Sequence, residues 1–149
     1  MPFPVVVGID YNLRALDVAV LQGRSVDFSR YDLGRDAQTR IAVISRACAE
    51  LTRDHGAIAV YLEKPWLNTY TNSRGEAKQN VSTMLALALL VGNIEGLAVA
   101  HGHTVTLVAP DAWRASVCLP ASDRTRAAKK RAAVKTVKLT WGLDVGHDV

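Results

Sequence analysis

Three acidic side chains stand where an apolar strand or a terminal segment would ordinarily carry something neutral. Asp10 closes the run Val5-Val6-Val7-Gly8-Ile9, Glu63 closes Ile58-Ala59-Val60-Tyr61-Leu62, and Asp148 follows a strongly basic segment. A carboxylate at the end of a buried strand is costly to desolvate unless a partner compensates it. For several convergent carboxylates a divalent cation does this with the fewest groups, because hard cations take oxygen ligands. Carboxylates gathered around a cation in a basic chain fit chemistry on a phosphate polymer. Lysines and arginines would hold the backbone and the cation site would cut it.

The basic groups are concentrated. Seven lysines and arginines and no acid lie between Arg124 and Lys138. On a helix, Arg124, Arg131, Lys135 and Lys138 share a face suited to phosphates, the alternative being a solvated surface. Ala127, Val134, Val137 and Trp141 form another stripe, expected to dock on a sheet, and Lys130 falls on it where it would reach inward toward a cation. Trp66 and Tyr70 follow Glu63 in a polar stretch. An exposed ring there would stack on an unpaired base, worth about 1–3 kcal/mol per base; for Trp66 the alternative is a ring folded back on the core. His147, beside Asp148, would either position a water or phosphate or cap a helix. His101-Gly102-His103 reads as a helix-end loop, and Trp113 as core.

These groups need a scaffold, and the rest of the chain supplies one. At 149 residues the chain is expected to be a single domain with a real core. A net charge of +4 and a pI near 9.3 permit nucleic-acid binding. Strands are expected at Val5–Asp10, Ala15–Gln22 and Ser25–Tyr31, joined by short polar turns as an antiparallel meander. Asp36 opens an amphipathic helix to about His55, carrying Ile41, Ile44, Ala47, Cys48 and Leu51 at helical spacing, and Gly56 stops it. A second apolar strand, Ala57–Glu63, precedes a polar loop, 64–79, without periodicity. An apolar helix Val81–Ala100, a strand Thr104–Val108, a short helix from Pro110 through Trp113 and a basic helix from Ser122 or Asp123 to about Trp141 complete the order β-β-β-α-β-α-β-α-α. That order implies an α/β fold: a five-stranded mixed sheet, its first three strands antiparallel, flanked by helices on both faces.

Val81–Ala100 is long enough to cross a bilayer, but Asn93, Glu95 and its small residues favour a helix packed on the core or on a partner subunit, with no membrane role. Two cysteines, Cys48 and Cys118, lack a C-x-x-C spacing, and the N-terminus runs straight into a strand without a signal-peptide pattern. The expected setting is a reducing cytoplasm, bacterial or that of a phage host, an organelle being the alternative.

Taken in order, these motifs resemble those of the RuvC-like Holliday-junction resolvases of the ribonuclease H-like superfamily, over essentially the whole chain. Gly8-Ile9-Asp10 resembles the family's first-strand acid and Leu62-Glu63-Lys64-Pro65-Trp66 its strand-end glutamate with an aromatic three residues on. Asn80 with the helix from Leu85 to Gly96, Pro110 with Trp113-Arg114, Arg126-Ala127-Ala128-Lys129 and Gly146-His147-Asp148-Val149 resemble further family segments. Arg114 stands where the family commonly has lysine, which keeps the charge and changes the donor geometry. The family's last acid would fall just beyond Val149, so the expectation is of a longer protein whose final helix is cut short here.

The resemblance implies a Mg²⁺-dependent, homodimeric endonuclease that resolves four-way DNA junctions. Two Mg²⁺ ions roughly 4 Å apart, replaceable by Mn²⁺, would be bridged by Asp10 and flanked by Glu63 and Asp148. Such a pair activates a water for in-line attack and stabilises the leaving 3′ oxygen, giving 5′-phosphate and 3′-hydroxyl ends. Lys129 matches the family's basic motif, while Lys130 is the lysine on the inward stripe; the sequence does not choose between them. Leu85, Leu89, Gly92 and Gly96 would form the homodimer interface, intrachain packing being the alternative. Two other classes remain: a branched-DNA binding module without catalysis, and an actin-like kinase or ATPase. The latter is disfavoured because Tyr11-Asn12-Leu13-Arg14 follows Asp10 in place of a Gly- and Thr-containing phosphate loop.

Overall fold

The computed structural model describes residues 3–65, 69–112 and 126–141. Strands β1 (Val5–Tyr11), β2 (Ala15–Gln22) and β3 (Ser25–Asp32) form the antiparallel meander. Helix α1 (Ala37–His55) follows, then β4 (Ala59–Glu63), a small hairpin of β5 (Thr69–Thr71) and β6 (Ala77–Gln79), helix α2 (Val81–Ala100), strand β7 (Thr104–Val108) and helix α3 (Arg126–Trp141). Residues 110–112 are also helical. The main sheet has the order β3-β2-β1-β4-β7, with β4 parallel to both β1 and β7. It is the mixed, helix-flanked five-stranded sheet that the element order implied.

Local chemistry sets the element ends. Asp36 caps α1: its two carboxylate oxygens accept from the Thr39 amide (2.8 Å) and hydroxyl (2.7 Å). Gly56 ends the helix at φ 73°, a left-handed conformation that favours glycine, and its amide donates to the Thr52 carbonyl at 2.8 Å. One strand face carries Val7, Ile9, Leu16, Val18, Val60 and Leu62 into the core, where Ile44, Cys48 and Leu51 of α1 and Leu90, Ile94 and Ala98 of α2 meet them. Ile41, expected in the buried stripe of α1, is 44% exposed, and Val43 is buried in its stead. Burial pushes the Cys48 thiol up to about 11, as suits an inert core cysteine.

The stretch 64–79 is not a structureless loop. β5 and β6 pair antiparallel around a turn in which Asn72 Oδ1 accepts from the Arg74 and Glu76 amides, each at 3.0 Å. Gly75 supplies the φ of 77° that the turn needs. Strands of three polar residues have no alternation to read, so the signal lay in Asn72 and Gly75 alone.

His103 ties the far end of the sheet to the helices. It is buried, its Nδ1 accepts the Ile58 amide (3.3 Å), and Nε2 therefore carries the proton and donates to the Cys48 carbonyl (3.1 Å). Thr52 Oγ1 lies 3.0 Å from the same nitrogen and 3.0 Å from the His101 carbonyl. These bonds give His101 and His103 a structural role. Replacing His103 with alanine strands the buried Ile58 amide, while the Cys48 carbonyl keeps the Thr52 hydroxyl at 3.1 Å, so His103→Ala should lose about 1–3 kcal/mol of stability in urea denaturation.

Candidate metal centre

The parallel pairing of β1 with β4 creates the site. Their register aligns Ile9 with Leu62 as the last pair, which sets Asp10 and Glu63 side by side one residue further on. Neighbouring strands lie about 4.8 Å apart, and side chains alternate faces. With Ile9 and Leu62 turned into the core, both acids project from the opposite face. Two residues far apart in sequence thus meet at the centre of the sheet.

A third carboxylate joins the row. Asp17 of β2 is the direct cross-strand partner of Asp10, and Arg30 of β3 is the partner of Asp17. The line across the sheet reads Arg30, Asp17, Asp10, Glu63. Arg30 Nη1 lies 3.3 Å from Asp17 Oδ1, a loose pair with side chains 63% and 31% exposed. An isolated aspartate in an alternating strand gives no sequence signal, and only the register makes it a neighbour of Asp10.

The electrostatics follow from this crowding. Asp10 keeps solvent access, yet the protein packed around it raises its carboxyl above the usual aspartate value through partial desolvation; the Tyr11 amide opposes the rise, Glu63 and Asp17 add to it, and Arg30 offsets part. The amide bond, at 2.9 Å, fixes Oδ1 and leaves Oδ2 to a ligand. The Tyr11 hydroxyl, pushed up to about 12 by burial and then by Glu63 and Asp10, donates to the Glu63 backbone carbonyl at 2.5 Å.

An all-oxygen pair whose charges destabilise one another fits a hard divalent cation. Mg²⁺ commonly takes one or two carboxylates and fills its remaining positions with water and substrate phosphate. Among the described residues no group of three potential ligands closes into a metal site, and Asp17 is paired with Arg30. The donor set on hand is therefore Asp10 and Glu63.

The other expected site residues divide clearly. Asp148, Trp66, Arg114 and Arg124 lie outside the described residues, as do Trp113 and His147. Tyr70 falls in β5 and Lys129 in α3. Lys130 is exposed, and so is Ala127, so neither lies on the covered side of the helix. The covered side of α3 runs instead through Ala128, Ala132 and Thr136. At about 100° per residue Lys130 lies roughly 200° from Ala128, on the far side of the helix. Arg131, Lys135 and Lys138 are exposed at helical spacing along one face. On α2, Leu85 and Leu89 are 62% and 65% exposed, and Gly92 and Gly96 lie on the same open side.

No protein-family model and no curated protein matches the sequence. Solved structures do match. RuvC from Thermus thermophilus in complex with a Holliday junction substrate shares 18% identity over 95% of this chain and 81% of its own, with a TM-score of 0.65. Another Thermus thermophilus RuvC structure shares 17% identity over 97% of this chain and 84% of its own, also at 0.65. The Fowlpox virus resolvase with Holliday junction DNA shares 12% over 91% and 76%, at 0.49. The likeness to the two RuvC structures establishes the fold, which is ribonuclease H-like.

A carboxyl whose folded value is raised binds a proton more tightly folded than unfolded. Without cation, stability attributable to Asp10 is therefore present below the ordinary aspartate value near 3.8 and is lost as pH rises through the raised value. In EDTA near neutral pH, Asp10→Asn should raise Tm, and Asp17→Asn should raise it by less. Millimolar Mg²⁺ should raise the Tm of the wild type and not that of Asp10→Asn, as differential scanning fluorimetry can check.

Proposed function

We propose that this chain is a Mg²⁺-dependent, homodimeric endonuclease that hydrolyses phosphodiester bonds at four-way DNA junctions. The observation that carries the reading is the side-by-side placement of Asp10 and Glu63 at the ends of two central parallel strands, in a sheet with the fold of RuvC. Asp10 and Glu63, with Asp148 as a third ligand, would hold two Mg²⁺ ions or Mn²⁺ in their place. When bound, the ions supply an activated water and charge stabilisation at the leaving oxygen.

The chain's own groups account for the rest. Oδ1 of Asp10 is anchored on the Tyr11 amide, which orients the carboxylate. Arg131, Lys135 and Lys138 offer a row of charges to successive phosphates, and Trp66 and Tyr70, which follow Glu63 in the sequence, would stack on bases unpaired at a branch point. A junction needs two symmetric cuts, which a two-fold dimer supplies. The open side of α2, with Val81, Leu85, Leu89, Gly92, Gly96 and Val99, is the surface for that dimer.

The test is cleavage of a synthetic four-way junction in Mg²⁺. The protein should cut in paired fashion, leaving 5′-phosphates, and Asp10→Asn or Glu63→Gln should slow cutting by about 10³-fold or more, the scale of several kcal/mol of transition-state stabilisation. Binding without cutting by the wild type would point to a non-catalytic branched-DNA module, and nucleotide hydrolysis without DNA to the kinase class. Leu89→Arg should give a monomer by light scattering that has lost paired cutting.

A further inference from the structure

The β1–β4 ladder closes at Ile9 opposite Leu62, yet the acids that matter stand one residue beyond it. Asp10 continues in register with β2, opposite Asp17, while Glu63 continues in register with β7, opposite Val108. Each acid therefore follows a different outer neighbour, one residue beyond the last pair that joins the two strands. Tyr11 bridges this point. Its backbone amide donates to Asp10 Oδ1 at 2.9 Å, and its hydroxyl donates to the carbonyl of Glu63 at 2.5 Å, across a sequence separation of 52 residues.

The bridge is rigid at both ends. The Tyr11 ring lies on the helix-bearing side of the sheet, partly buried against the core cluster, so packing sets its rotamer. Immediately after it the chain is locked in a turn: Asn12 Oδ1 accepts from the Arg14 amide (2.8 Å) and the Ala15 amide (2.9 Å), and the Asn12 amide donates to the Ala15 carbonyl (3.0 Å). Tyr11 is thus held by the core on one side and by its own turn on the other, while its amide holds the Asp10 carboxylate and its hydroxyl holds the backbone from which the Glu63 side chain projects. Groups that orient cation ligands without touching the cation commonly change affinity by about 10–100-fold when removed.

We propose that Tyr11 is the positioning residue of the cation site, fixing the separation of Asp10 from Glu63. The inference rests on the cation reading of that carboxylate pair. Tyr11→Phe is the informative variant, because it keeps the ring, the packing and the amide contact and deletes only the hydroxyl bridge. Tyr31→Phe is the control: it deletes another partly buried hydroxyl bond of the same sheet, to Glu50 Oε2 at 2.6 Å, remote in sequence from the acids.

Mn²⁺ binding to the full chain, followed by electron paramagnetic resonance, measures the effect directly. Tyr11→Phe should weaken Mn²⁺ binding by about 10-fold, the lower end for an orienting group, and Tyr31→Phe should leave it unchanged. In junction cleavage, the metal concentration for half-maximal rate should rise by the same factor for Tyr11→Phe, with the plateau rate recovered at saturating metal. Wild-type Mn²⁺ affinity in Tyr11→Phe overturns the proposal. So does an equal loss in Tyr31→Phe, which would reduce the effect to general stability. Asp10→Asn separates the two levels: if it retains wild-type Mn²⁺ affinity, the cation reading itself fails, whatever Tyr11→Phe does.

Discussion

The pairing of β1 with β4 is the constraint on which the rest of the structure depends. A parallel pair at the centre of a mixed sheet requires a crossover, here through β2, β3 and α1, and buries both strands on the helix side. Once Ile9 and Leu62 are committed to the core, alternation commits the next residue of each strand to the other face. Asp10 and Glu63 are brought together by the hydrophobic effect acting on their neighbours, not by attraction for each other. Like charges directly side by side in a sheet are unfavourable, so the apolar ladder supplies the force that holds them there.

The surroundings moderate that repulsion without removing it. Asp17 adds another negative charge opposite Asp10, and Arg30 answers it from the edge strand. The result is a graded row: a loosely neutralised pair at the outer strands, and at the centre a carboxyl whose value partial desolvation and neighbouring acids raise. A fold optimised for stability alone would place neutral residues at these positions. The opposite end of the sheet shows what such optimisation looks like, where His103, Thr52, Cys48 and Ile58 satisfy one another's polar groups around a buried ring.

Helix α2 obeys two demands at once. By length and composition it could cross a membrane, and its apolar residues surround it with no polar face to orient it. One side, Leu90, Val91, Ile94 and Ala98, is built into the core, and the other leaves Leu85, Leu89 and Val99 in the open beside two glycines. A helix apolar on nearly every side suits a place covered by protein all round, and the proposed function assigns its open side to a homodimer.

Much of this architecture was legible in the residues themselves. β2, α2 and β7 fall at the expected bounds because continuous apolar runs and their stop residues act locally, and Asp36 and Gly56 delimit α1 through bonds to residues within four positions. Asp10 and Glu63 stood out because a charge closing an apolar strand is anomalous whatever the fold. The hairpin β5–β6 has no readable signal because three-residue strands have no period, and Ala127 and Lys130 of the expected docking stripe are exposed because alanines and valines on several faces leave the rotation of a helix to its packing. Asp17 and Tyr11 had no local signature at all. Their importance comes from strand register, an agreement between segments distant in the chain, and no single segment carries it. Sequence determined the elements and the two exceptional acids; tertiary pairing decided which side chains those acids would meet, because cross-strand neighbours are chosen by the joint burial of both strands.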